Sequence, residues 1–139
     1  MDKNKLIEAA FSAREHSYAP YSNYNVGAAL LCADGTIVTG ANIENASYGA
    51  TVCAERCAIF SAVAGGKKGF CAIAIVGGVS EEKNETSDYA FPCGICRQVM
   101  REFADPESFK IIVARSAGDY KEYTLNELLP ESFGPDNLK

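Results

Sequence analysis

Apolar residues Leu6, Ile7, Ala10, Phe11 and Ala13 recur at helical spacing after Asp2. The pattern predicts a first helix capped by Asp2 and running to about His16, with Pro20 beyond its end. The period then changes. Val26 to Cys32 is a continuous apolar run that reads as a buried strand, Asp34-Gly35 is a hairpin turn, and Thr36 to Gly40 returns as the antiparallel partner. Asn42 to Gly49 is a polar loop without periodicity, after which Thr51 is expected to cap a helix through about Val63 that Gly65-Gly66 ends. Phe70 to Val76 is almost wholly apolar, as a central strand covered on both faces should be.

Ser80 to Asp88 is polar and uneven, an exposed loop that leads by way of Pro92 to a helix from near Cys93 to about Phe103. Lys110 to Ala114 reads as another buried strand. Ala117-Gly118-Asp119 reads as a turn, Tyr120 to Thr124 as an edge strand, and Leu125 to Leu129 as a short helix. The order αββαβαββα predicts an α/β fold of three layers, α/β/α, with helices on both faces of a central mixed β-sheet.

Composition narrows the class. A chain of 139 residues is expected to form a single domain spanning 1–139. Thirteen Lys and Arg against eighteen Asp and Glu leave a net charge of −5, which argues against phosphate backbones and anionic lipid as partners, so neither nucleic acid nor membrane is expected. No apolar run approaches the roughly 18 to 20 residues of a membrane span. Met1 to Lys5 leads into a helical pattern rather than an apolar signal region, so the expected location is cytoplasmic.

In a reducing compartment the spacing of the six cysteines matters more than their even number. Cys32 and Cys71 fall inside apolar runs and read as core residues. Cys93-Gly94-Ile95-Cys96 puts two thiols at a predicted helix N-terminus, where the helix dipole favours thiolate; the spacing alone suits a redox pair, half a zinc site or coincidence. Cys53-Ala54-Glu55-Arg56-Cys57, at the start of the other helix, offers two zinc sites. Cys53 and Cys57 can join Cys93 and Cys96 in a closed four-sulfur tetrahedron, or Cys53 alone can join them and leave the fourth position to water. Glu55, two residues after Cys53, can reach such a water without ligating the ion, and a structural site has no need of it. Arg56 would offset part of the negative charge of three thiolates, leaving Cys57 as a core residue. His16, at the end of an amphipathic helix, reads as a surface residue.

Cys53-Ala54-Glu55 followed by Pro92-Cys93-Gly94-Ile95-Cys96 resembles the zinc-deaminase signature with Cys in place of the usual first His. More closely, the chain is similar to the small homotetrameric cytidine deaminases. The likeness runs through Tyr18 to Asn23, Val26 to Leu30, Gly40 to Tyr48, Cys53 to Arg56, Pro92 to Gln98, Leu128 to Pro130 and Phe133. It implies a cytidine deaminase-like fold and hydrolytic deamination of cytidine and deoxycytidine, a small-molecule nucleoside substrate, as in pyrimidine salvage. It also implies one Zn2+ per subunit, held by Cys53, Cys93 and Cys96, and a homotetramer with shared active sites.

The reaction needs a nucleophile at C4 of the pyrimidine and a proton at N3. The resemblance assigns both proton transfers to Glu55. It assigns the ribose hydroxyls to Asn42 and Glu44, the pyrimidine O2 to the backbone N–H of Ala54, and the side of the base to Tyr24, where many members carry Phe. Phe133 corresponds to the family's tail aromatic, which covers the base in a neighbouring subunit's pocket. Two alternatives stay open from the residues: the same chemistry on another aminopyrimidine such as blasticidin S, and a closed four-cysteine zinc module that serves as an interaction domain.

Overall fold

The computed structural model describes residues 1–139. Helix α1 (Lys3–Arg14) starts where the Asp2 side chain accepts the Lys5 N–H at 3.1 Å, satisfying one of the donors a helix start leaves free. It ends short of His16, because Glu15 and His16 turn back onto the carbonyls of Ser12 and Ala13 in tighter bonds. There follow β1 (Tyr24–Cys32), β2 (Ile37–Ala41), α2 (Ala54–Ala64), β3 (Phe70–Val79), α3 (Gly94–Phe103), β4 (Lys110–Ser116), β5 (Asp119–Thr124) and α4 (Leu125–Leu128). The order of elements is the one the sequence predicts.

The five strands form one sheet in the order β2-β1-β3-β4-β5. Only β3 and β4 run parallel, joined by the crossover through α3; the other pairs are antiparallel. β3 is therefore central and β5 an edge, as expected. Side chains alternate along each strand, so the sheet buries two separate clusters. Ala29, Ala72, Ala74, Val76, Ile112 and Ala114 face α1, packing against Leu6, Ile7 and Ala10. Ala28, Leu30, Ile73, Ile75, Ile111 and Val113 face α2 and α3, together with Ala58, Ile59, Cys96 and Met100. These are the three expected layers.

Two expectations need correction. The residue that caps α2 is Cys53, in extended conformation (φ −72°, ψ 153°), not Thr51. Thr51 is spent on the preceding loop, where its hydroxyl accepts the Asn45 N–H at 3.1 Å. Cys71 is exposed rather than buried. The β1–β3 register pairs Leu31 with Ala72 but Cys32 with Phe70, and this irregularity leaves Cys71 without a partner at the end of the ladder. Cys32 is buried as expected, and Cys57 is half-buried with its Cβ over Gly40.

Candidate metal centre and substrate cavity

The start of α2 is fixed from two sides. In the loop before it, Ile43 and Val52 exchange backbone hydrogen bonds at 2.9 and 3.0 Å, which closes the Asn42 to Val52 excursion and returns the chain to the sheet. Beneath it lies Gly40 of β2. A Cβ there would fall 2.5 Å from the Ala54 carbonyl and 2.5 Å from the Ala58 N, so only glycine lets the helix backbone come down onto the strand. The start of α3 is held by Arg97, which donates to the Pro92 carbonyl and the Leu128 carbonyl, both at 2.7 Å. Each helix begins on a cysteine: Cys53 caps α2, and Cys93 caps α3 while its Sγ accepts the Cys96 N–H at 3.5 Å.

These two helix starts bring three sulfurs together. Cys53 Sγ lies 3.8 Å from Cys93 Sγ, Cys93 Sγ lies 3.5 Å from Cys96 Sγ, and all three fall within 4.8 Å of one another. Zinc–sulfur bonds of about 2.3 Å in a tetrahedron require sulfurs about 3.8 Å apart, so the trio fits zinc as it stands. Cys57 is outside the cluster. The closed four-sulfur site is therefore not formed, and three donors leave one coordination position for a non-protein ligand. All six cysteines are free thiols.

The electrostatics favour thiolate where the metal belongs. Hydrogen bonds from Cys96, from Arg56 (Nη2 to Sγ, 3.4 Å) and from Cys93 draw the Cys53 thiol down to about 5, against the opposing effect of burial. Arg56 in turn is held firmly charged by Cys53. Its Nη2 donates to the Cys53 sulfur and to no carboxylate, while its Nε is buried with no partner.

Beside the sulfurs opens a cavity of about 610 Å³. Val26 of β1 and Ile75 of β3 contribute from the sheet, Cys53, Ala54 and Glu55 from the start of α2, and Tyr24 and Asn42 from the ends of β1 and β2. Glu55 is almost fully buried, and that burial raises its carboxyl to about 7 despite a hydrogen bond from its own backbone N–H. Ala54 is the first residue of α2, so its N–H has no intrahelical acceptor. The Asn42 amide is buried and mostly engaged: Oδ1 accepts from Val26 N–H at 2.9 Å and from the Ser17 hydroxyl, and Nδ2 donates to the Tyr24 carbonyl at 2.8 Å. One amide N–H remains free of these bonds.

Two expected residues lie outside this cavity in the single chain. The Glu44 carboxylate accepts the N–H groups of Tyr21 (3.0 Å) and Ser22 (3.2 Å) and the Ser22 hydroxyl, which hold its pKa below the usual range. Phe133 is 59% exposed, although its carbonyl is tied to Gln98 Nε2 at 2.9 Å and Arg101 binds the neighbouring Ser132 and Asp136. His16 is exposed, as expected.

The sequence reasoning missed the wall formed by Asp88, Tyr89, Ala90 and Phe91. Its signal was available: residues immediately before a Cys that caps a helix must pass close to that sulfur. Glu55 and Asp88 are the charged side chains of the lining, and no Lys or Arg is among them.

Residues 1–112 match the family model described as the cytidine and deoxycytidylate deaminase zinc-binding region. A cytidine deaminase of Halalkalibacterium halodurans is 46% identical over 138 residues, covering 99% of this chain and 98% of its own. The crystal structure of cytidine deaminase from Burkholderia pseudomallei superposes with a TM-score of 0.85 at 47% identity, covering 96% of this chain and all of that one. That of cytidine deaminase from Mycobacterium tuberculosis gives 0.79 at 36% identity, covering 96% and 98%. With a fold, a three-thiol centre and whole-length similarity in agreement, the chain belongs to the cytidine and deoxycytidylate deaminase family.

Proposed function

We propose that the cavity beside Cys53, Cys93 and Cys96 is the seat of this chain's reaction, the zinc-dependent hydrolysis of cytidine and deoxycytidine to uridine and deoxyuridine with release of ammonia. The observation that carries this reading is the trio of sulfurs within 4.8 Å, with the buried Glu55 carboxyl in the adjoining cavity. The three thiolates would hold the ion. Zinc bound there would supply Lewis acidity, bringing the ionisation of the attacking water down toward neutral pH.

Glu55 moves the protons. Its carboxyl, raised to about 7 by burial, is poised near neutrality both to take a proton and to return one. It takes a proton from the attacking water as the oxygen bonds to C4, delivers it to N3 of the pyrimidine, and then carries the proton left on that oxygen to the amino nitrogen, so that the C4–N bond breaks, ammonia leaves and C4=O forms. One water enters for each ammonia released. Arg56 keeps Cys53 ionised and tempers the charge of the sulfurs. The Ala54 N–H, at the positive end of α2, donates to the pyrimidine O2. Tyr24 packs beside the base, and the remaining Asn42 N–H and the Glu44 carboxylate two residues on serve the ribose hydroxyls.

The acidic, cation-free lining supports an uncharged nucleoside over a phosphorylated one. An exposed Phe133 on a tail tied to α3, with Phe60, Val63 and Ile95 also exposed, supports a homotetramer in which Phe133 closes a neighbour's cavity. The 1–139 chain would act as one domain. Free thiols support a cytoplasmic location, and no helix is long and apolar enough to cross a membrane.

The test combines metal analysis with the absorbance change of cytidine. About one zinc per chain and turnover of cytidine are expected, with blasticidin S a far poorer substrate. A zinc-loaded tetramer that leaves cytidine untouched rejects the reading.

A further inference from the structure

The last residues of β3 lie directly under the outer wall of the cavity. A Cβ on Gly77 would fall 2.8 Å from the Ala90 Cβ, 3.1 Å from Tyr24 Cε2 and 3.2 Å from Val26 Cγ2. On Gly78 it would fall 2.5 Å from a Glu82 carboxylate oxygen and 2.8 Å from Thr86 Cγ2. Bare backbone at both positions lets the chain leave β3, double back, and lie against the strand it has just left. The polar segment Ser80 to Asp88 is thus seated on the sheet, and it delivers Asp88 to Phe91 to the cavity.

The segment is fastened at both ends. At its start the buried Arg14 of α1 donates all five guanidinium N–H groups to main-chain carbonyls, those of Asn25, Gly78, Val79, Glu82 and Lys83. In the middle the Thr86 N–H reaches the Arg115 carbonyl at 2.9 Å. At its end the fastening is Tyr89. Its hydroxyl donates to Asp119 Oδ1, while Asp119 Oδ2 accepts Arg115 Nε at 2.8 Å and Nη2 at 2.6 Å. The Arg115 guanidinium and the Lys121 ammonium lie 4.7 and 4.6 Å from the centre of the Tyr89 ring. Of these contacts, the hydroxyl to carboxylate bond is the directional one. The cations attract the ring but leave it free to slide, and Arg115 is itself aimed by Asp119.

We propose that Asp119, which lines no part of the substrate cavity, is a positioning residue for nucleoside binding: through the Tyr89 hydroxyl it fixes where the Asp88 to Phe91 wall stands. The inference rests on the cavity being the nucleoside site. The proton-moving and metal-holding groups are on α2 and α3, whereas Asp119 is at the start of the edge strand β5. Loosening the wall leaves that machinery in place and makes the substrate order the wall on binding, so the effect falls on affinity rather than on turnover.

The experiment uses the zinc-loaded full chain and reads kcat and KM for cytidine, the Kd of uridine by calorimetry, and zinc content. Asp119→Ala and Tyr89→Phe should each raise KM and Kd by about three- to tenfold with kcat within about twofold, the scale of losing one charge-assisted hydrogen bond in part. The double variant should be no worse than either single one, because both remove the same bond. Asp119→Asn, which keeps an oxygen for the Tyr89 hydroxyl, should recover most of the affinity. A role in stability alone would lower Tm and leave KM and Kd unmoved, and that result overturns the proposal, as do effects that multiply in the double variant. If Asp119→Ala fails to fold, Tyr89→Phe, which keeps the ring, decides. Failure of the wild-type chain to turn over cytidine would reject the assigned reaction instead.

Discussion

The two faces of the sheet are made from the same strands, yet they do opposite things. On the α1 face, alanines of β1, β3 and β4 meet Leu6, Ile7 and Ala10 in a wholly apolar cluster. On the α2 and α3 face, alternate residues of the same strands meet Ala54, Ala58, Ile59 and Ala62 along α2 and Cys96 and Met100 of α3. Here Cys96 is fully buried and Glu55 nearly so, ionisable groups held beside Ile75 and Ile73. The first face is apolar throughout; the second holds the larger apolar cluster and, within and beside it, groups whose charged forms burial opposes. A single residue step along a strand separates them.

The largest expected effect belongs to the second face. Glu55→Gln keeps the side-chain shape but cannot carry a proton, so kcat for cytidine should fall by at least about 100-fold with zinc content and Tm retained. Near-normal kcat would remove Glu55 from its assigned role. The counterpart on the first face is Ile7→Ala, at a fully buried position against the sheet. It should cost about 3 kcal/mol of stability by denaturant titration while kcat and KM of the folded fraction stay near wild type. A change in kcat larger than the loss of folded protein would mean that the faces are coupled.

A smaller effect sharpens the contrast through pH. In zinc-free protein the Glu55 carboxyl is raised from 4.5 to about 7, so the folded state binds its proton more tightly than the unfolded state does. That contribution is full below about pH 4.5 and is lost as pH rises through 7, amounting to about 3 kcal/mol. Cys53, lowered to about 5, gives the opposite slope in both proteins, so the difference between wild type and Glu55→Gln reports the carboxyl together with its coupling to the neighbouring thiols. Stability measured from pH 4 to 9 should show the variant gaining on wild type toward high pH. Parallel curves would contradict the raised pKa.

Much of this arrangement is legible in the sequence because it follows from local rules. The apolar runs of β3 and β4 call for cover on both faces, and a Cys two residues before a Glu at a helix start places sulfur and carboxylate on one turn. What escapes local rules depends on register and on distant partners. Cys71 has the same apolar neighbours as Ala72 and Ile73, and only the slip opposite Cys32 exposes it. Thr51 is as good a cap by type as any, but its hydroxyl was already engaged by Asn45. The Asp88 to Phe91 wall reads as the end of a polar loop until Gly77 and Gly78 are seen to seat it. Glu44 and Phe133 stay outside the single-chain cavity, so no amount of periodicity in one chain describes their surroundings.

The sulfur trio also has a meaning in the language of polymers. Cys53 and Cys93 are 40 residues apart, and the stretch between them holds α2 and the central strand β3. An ion gripping both ends makes that stretch a ring. Closing a ring of this length removes freedom from the unfolded chain worth about 4 kcal/mol, on the scale by which disulfides are reckoned. An ion serving the reaction from that place would also work as a removable cross-link, tying the persistence of the fold to the supply of metal.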